Sequence, residues 1–221
     1  MDIILVRHGE SEGNALGRLQ GHFDSPLTPL GRAQARRVGG WLKVHAPRWA
    51  AAYASPLARA KETAGIICEQ TGYTQSILDD DLREVGAGRL EGLTRDEIWS
   101  RYPRFAERQI TELGDFAEFE GEAYDGVQER VRRVLARLES AHRAAADVVL
   151  VVAHGGILFQ IVKAAVCVPV PRVCILQWGN CTATLLRFRE RRRTYMAEVT
   201  WHVPLDLMGG GPAEESTGVF R

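Results

Sequence analysis

The chain has 221 residues, of which 45% are apolar and 25% charged, and its 28 basic residues match 28 acidic ones. That mix belongs to an ordinary folded protein of one or at most two domains. It excludes a mainly disordered chain, a collagen-like chain and a small disulfide scaffold, and it lacks the basic excess of a nucleic-acid binder.

Ile3-Ile4-Leu5-Val6 is a short apolar run that predicts a strand buried on both faces. Thr28-Pro29 predicts a helix start, with threonine as N-cap. The helix carries Leu30, Val38, Trp41 and Leu42 and stops before Pro47. A weaker strand is expected over Ala50–Ala54. Ser55-Pro56 repeats the cap-plus-proline signal and predicts a second helix with Leu57, Ala60, Ala64 and Ile67 on one face, ending near Gly72. Ser76–Leu82 reads as another strand. Residues 86–121 are irregular, with short helices expected around Asp96–Tyr102 and Phe105–Leu113.

The end of that stretch is acidic, with Glu112, Asp115, Glu118, Glu120, Glu122 and Asp125. It reads either as a solvated surface or as a lid at a substrate mouth. Val127, Val131, Val134, Leu138 and Ala141 then mark a long amphipathic helix. Val148–Ala153 is the clearest strand and runs through His154-Gly155-Gly156 into an apolar helix to about Val168. Two late strands are expected at Thr182–Phe188 and Tyr195–Val203, with Arg187, Arg189, Arg191, Arg192 and Arg193 in a charged turn between them. The expected organisation is one domain over residues 1–208, with 86–121 as an inserted lid-like segment and a disordered tail from Gly209.

Alternating strands and helices predict an α/β fold, three-layered αβα with a mostly parallel central sheet. Four apolar residues before Arg7 are too few for a signal peptide, and no run reaches the length of a membrane span. Lysine occurs only at Lys43, Lys61 and Lys163, a skew towards arginine whose simplest reading is genome composition. Cys68, Cys167, Cys174 and Cys181 form no C-x-x-C pair and read as packing thiols in a reduced, cytoplasmic setting.

Ligands of such sheets bind beyond the carboxyl ends of the strands. That rule brings Arg7-His8-Gly9-Glu10 and His154-Gly155-Gly156 to one rim. Two histidines there could ligate a metal, but no H-x-x-x-H or H-E-x-x-H spacing supplies a third ligand. Arg7 and Arg59, the latter in the first turn of a helix, suit an anionic phosphate better. Neutral imidazole can accept a phosphoryl group, and arginines stabilise its equatorial oxygens. A carboxyl group must protonate the leaving alkoxide, and position in the sequence does not select which one.

Five ordered motifs carry a family resemblance. They are Leu5-Val6-Arg7-His8-Gly9-Glu10-Ser11-Glu12-Gly13-Asn14; Gln20-Gly21 with Asp24 and Pro26-Leu27-Thr28; Ser55-Pro56-Leu57-Ala58-Arg59-Ala60 with Thr63-Ala64; Leu82-Arg83-Glu84 with Gly88 and Glu91-Gly92; and Val152-Ala153-His154-Gly155-Gly156. Together they resemble the histidine phosphatase superfamily, the phosphoglycerate mutase-like proteins, over residues 3 to about 185. The resemblance implies that His8 is phosphorylated, that Arg7, Arg59 and His154 hold the phosphoryl oxygens, and that Glu84 donates the proton. It implies that Asn14, Gln20, Gly21 and the Gly155 amide line the pocket. No metal or organic cofactor is implied.

The stretch from Arg18 to Thr28 resembles the broad-specificity and α-ribazole phosphate phosphatases, and also phosphatases of phosphoserine. The expected activity is hydrolysis of small phosphorylated metabolites by a monomer or homodimer, with neither nucleic acid nor membrane as partner. The alternative is a cofactor-dependent phosphoglycerate mutase. Those mutases resemble this chain less, with tryptophan where it has Gly13 and a longer basic insertion after the acid motif. A non-catalytic phospho-ligand binder is the remaining contrast, and it is expected to have lost some of His8, Arg59, Glu84 and His154, all of which are present.

Overall fold

The computed structural model describes residues 1–46, 48–109, 115–142, 147–166, 178–191 and 194–208. The elements in chain order are β1 (Asp2–Arg7), α1 (Glu12–Ala15), α2 (Pro29–His45), β2 (Ala51–Ala54), α3 (Ala58–Thr71), β3 (Ile77–Leu78), α4 (Arg95–Arg101), α5 (Pro103–Gln109), α6 (Tyr124–Ala141), β4 (Val148–Ala153), α7 (Gly155–Ala165), β5 (Ala183–Arg191) and β6 (Thr194–Val203). One six-stranded sheet has the order β3-β2-β4-β1-β5-β6. The strands β1 to β4 run parallel, and β5 and β6 extend the sheet antiparallel.

Strand periodicity assigns the two faces. Ile3, Leu5, Val149 and Val151 point into one core with Val127, Val131 and Val134 of α6 and Ile157 and Ile161 of α7. Ile4, Val6, Leu150 and Val152 point into the other, with Val38 and Leu42 of α2 and Ile67 of α3. Each side chain of this size contributes about 1.5–3 kcal/mol on full burial, so the central strands anchor both layers. A third, smaller cluster of Ala87, Leu90, Phe105 and Phe119 lies within residues 86–121 and packs against Leu19. Main-chain bonds between Leu19 and Leu93 and between Gly92 and Leu19, both 2.8 Å, tie this segment to the loop after α1.

Several expectations need correction. Ser55 does not cap α3; the N-cap is Leu57, and Asp24 accepts the Ala58 amide with both carboxylate oxygens (2.9 and 3.1 Å). The strand expected over Ser76–Leu82 is only Ile77–Leu78, because Asp79 caps a 3-10 turn over Asp80–Leu82 through the Asp81 amide. Leu30 on α2 is 54% exposed; the small residues Gly31, Ala35 and Gly39 take the inner face instead. The arginine-rich turn is mostly strand: β5 continues to Arg191, and Arg187 pairs with Asp2 at 3.3 Å.

The other predicted starts and stops that fall on described residues agree to within a few residues, including the Thr28 cap on the Gly31 amide and a left-handed Gly72 after α3. The tail from Gly209, the ends of the helices expected to reach Leu113 and Val168, Glu112, Arg192, Arg193, Cys167 and Cys174 lie outside the described residues. Cys68 and Cys181 are free, buried thiols, and burial raises both above the ordinary cysteine value, Cys181 strongly. Among the described residues no helix is long and apolar enough to cross a membrane.

Candidate active site

Three neighbouring parallel strands end at one rim. Ladder pairing sets Arg7 opposite Ala153 and Ala54 opposite Val152, so the next residues along each strand, His8, His154 and Ser55, share the same edge. The His8 amide bonds to Ala153 O (2.9 Å) and the Ser55 amide to Val152 O (3.0 Å). Sheet geometry alone therefore brings the two rings together, with centroids 5.0 Å apart.

His8 Nδ1 lies 2.7 Å from the Gly9 carbonyl. A carbonyl only accepts, so Nδ1 carries the proton and Nε2 keeps a lone pair. Both rings are buried. Burial holds the His8 pKa well below the ordinary imidazole value of 6.5, with the Arg7 and Arg59 charges acting in the same direction. His154 is lowered for the same reason, first by burial and then by its neighbours His8, Arg59 and Arg7. Both imidazoles are thus held neutral by their surroundings.

His154 Nε2 meets Ser55 Oγ at 2.8 Å, which turns Nδ1 away from that contact. Serine was expected as a helix cap; here it orients the second histidine. Arg59, 1% exposed, gives Nη2 to Gly21 O (2.8 Å) and Nη1 to Phe23 O (3.0 Å), with Asp24 at 3.8 Å. Arg7 donates Nη1 to the Trp178 carbonyl. Arg7 Nε, Arg59 Nε and His154 Nδ1 are buried and bond to nothing among the described residues.

Glu84 reaches the start of α7. Its carboxylate accepts the amides of Gly156 (3.0 Å), Ile157 (2.9 Å) and its own neighbour Val85 (2.9 Å). A Cβ at residue 156 would stand 2.6 Å from Glu84 Oε1, so this approach requires glycine. The first-turn amides of α7 thus serve a side chain, while Gly155 lies beside the Arg7 side chain. All five expected catalytic positions, Arg7, His8, Arg59, Glu84 and His154, come to one rim.

Among the residues expected to line the pocket, Gln20 and Asn14 already have much of their bonding capacity in use. Gln20 Oε1 accepts from Ser11 Oγ (2.8 Å) and Ser25 Oγ (3.0 Å), which leaves its amide nitrogen as the donating end. Asn14 Oδ1 accepts from Ser11 and from Asn180 Nδ2 (3.2 Å). Gln20 also occupies the space beside Gly13, where a Cβ would stand 2.6 Å from its carbon atoms.

Four supporting residues escaped assignment from the sequence. Asn180 donates to His8 O (3.0 Å), Thr63 accepts the Gly9 amide (3.0 Å), and Glu91 accepts the amides of His22 and Phe23 (both 2.9 Å). Arg130 on α6 is the fourth. Thr63 and Glu91 fall within quoted motifs, so a signal existed; Asn180 lies in a turn with no periodicity to mark it. Among the described residues, no group of three His, Cys, Asp or Glu is placed to hold a metal ion.

A model of the histidine phosphatase superfamily (branch 1) matches residues 3–199. A metal-independent phosphoserine phosphatase from Arabidopsis thaliana is 35% identical over 158 residues, 71% of this chain and 65% of that protein. A 2,3-bisphosphoglycerate-dependent phosphoglycerate mutase from Methylorubrum populi is 33% identical over 167 residues, 72% of this chain and 76% of that protein. The solved structure of a mycobacterial glucosyl-3-phosphoglycerate phosphatase with VO3 matches with a TM-score of 0.77 at 28% identity, over 90% of this chain and 97% of that one. The chain belongs to the histidine phosphatase superfamily. Its phosphatase relatives make it an enzyme of phosphatase type.

Proposed function

We propose that this protein hydrolyses small phosphomonoesters in the cytoplasm through a phosphohistidine intermediate on His8. The observation that carries the reading is the gathering of Arg7, Arg59 and His154 around the buried His8 ring, with Arg7 Nε, Arg59 Nε and His154 Nδ1 buried and bonded to no described residue. Donors placed this way lose hydration on folding and regain partners when an oxyanion binds.

In this reading His8 Nε2 attacks phosphorus and the P–O bond to the leaving alkoxide breaks. Glu84, in its protonated form, gives its proton to that alkoxide. Water then attacks the phosphohistidine, Glu84 takes back a proton, and inorganic phosphate leaves. Arg7, Arg59 and His154 hold the equatorial oxygens in both steps. Asn14, Gln20, Gly21 and the Gly155 amide line the pocket, and residues 86–121 form its lid-like wall.

The contact of Gln20 with Gly13 favours hydrolysis over mutase action. The tryptophan that resembling mutases place there would have to displace Gln20. The test is phosphate release without added metal from a panel of phosphomonoesters, with conversion of 3-phosphoglycerate to 2-phosphoglycerate followed in parallel. The expected result is phosphate release that His8→Ala abolishes. Isomerisation with little release, stimulated by 2,3-bisphosphoglycerate, would make the protein a mutase instead.

A further inference from the structure

Glu84 is held at two ends, and only one of them lies in the pocket. Its carboxylate rests on α7, while its main chain rests on α6. Arg130, 7% exposed, uses all five of its N–H groups on this second task. Nη1 donates to Asp81 O (2.8 Å) and Arg83 O (2.6 Å), and Nη2 donates to Glu84 O (3.3 Å). Nε and Nη2 also grip Glu122, at 3.0 and 2.7 Å.

Glu122 completes the clamp. Its Oε2 accepts the Gly86 amide (2.7 Å), and its own amide donates to Gly86 O (2.8 Å). The backbone is therefore fixed on both sides of residue 84. His22 Nε2 adds a bond to Glu84 O at 2.9 Å and lies 3.8 Å from Glu122 Oε2. Farther along α6, Arg133 and Arg137 bind Asp81 and Asp79 at 2.7 Å. Those two arginines are about half exposed, so solvent screens their charges more than that of Arg130. Arg130 is the buried member of the series, where planar and bidentate geometry counts most.

We propose that Arg130, locked by Glu122, is a positioning residue for proton delivery by Glu84. It touches neither substrate nor reacting atoms. It sets the point from which the Glu84 side chain reaches the leaving oxygen, where a displacement on the order of 1 Å can cost about 10²-fold. The proposal rests on the reading of Glu84 as the acid. It also gives Glu122, one member of the acidic stretch, a buried structural partner.

The test compares Arg130→Lys, Glu122→Gln and the exposed control Arg133→Ala with Glu84→Gln. The measured quantity is kcat/KM across phosphomonoesters whose leaving groups run from p-nitrophenolate to primary alkoxides. This parameter reports the step in which the leaving group departs. Both clamp variants are expected to lose about 10–100-fold on alkyl phosphates and under about 3-fold on p-nitrophenyl phosphate. Neither is expected to add much loss to Glu84→Gln, while Arg133→Ala stays near wild type.

Glu122→Gln keeps the arginine and nearly the same shape, so it carries the test if Arg130→Lys folds poorly. Equal losses across all leaving groups, or full additivity with Glu84→Gln, would overturn the positioning role. A uniform loss in Glu84→Gln itself would remove the acid assignment, a separate result from failure of the clamp alone.

Discussion

The two halves of the site are held in different ways. His8, His154 and Ser55 are placed by a parallel ladder whose strands are buried in two cores. Glu84 stands on a segment without regular strand pairing, placed by side chains of α6 and amides of α7. A ladder fixes every residue along it cooperatively. A clamp of a few ion pairs and hydrogen bonds can be loosened one contact at a time. The nucleophile half should therefore fail all at once, and the acid half in degrees.

The sharpest break is His8→Ala. Turnover should fall more than about 10⁴-fold on every substrate, because no other group takes the phosphoryl transfer. The native fold should survive, which circular dichroism and a phosphate-binding titration can check. The acid half should answer differently: Glu84→Gln is expected to cost about 10²–10³-fold on alkyl phosphates and much less on p-nitrophenyl phosphate. A leaving-group series measures this directly, and parallel lines for the two proteins would contradict it.

Gly156→Ala probes the contact between the halves. The new methyl would push Glu84 Oε1 off the start of α7, with a stability loss of about 1–3 kcal/mol. The shift in denaturant midpoint at unchanged m is the measurement.

The smallest effect is on pH dependence. Because the folded pKa values of His8 and His154 are depressed, the unfolded chain binds more protons below the ordinary value of 6.5. Their contribution to stability is complete above 6.5 and declines as the pH falls from there towards the depressed values. Each histidine adds at most about 1.4 kcal/mol per pH unit to that decline. His154→Asn should flatten the profile of urea midpoint against pH. An unchanged slope would mean that the ring is not held neutral.

The same contrast decides what the sequence made legible. Ile3–Val6 and Val148–Ala153 are continuous apolar runs, and a strand's end is where its ligand-facing residues fall, so Arg7, His8 and His154 follow from pattern alone. Arg59 follows from its place at a helix start. Glu84 has no such periodic mark. It was reached through resemblance, because its neighbours form a 3-10 turn capped by Asp79 where a strand was expected. Ser55 shows a local signal overridden by tertiary structure: Ser-Pro is good capping chemistry, yet Asp24 arrives from another loop and frees the serine for His154. Glu122 was hidden by its acidic neighbours, since a charge run does not reveal which member meets a buried arginine.

One consequence follows from the buried donors at the rim. An anion that binds Arg7, Arg59 and His154 in the native state and not in the unfolded chain stabilises the native state by mass action. Inorganic phosphate, the product of each turnover, fits that description. At 100 times its dissociation constant a ligand adds about 2.7 kcal/mol to stability, enough to alter how long a marginally stable protein survives in a cell. Phosphate bound there would compete with substrate and stabilise the fold at once.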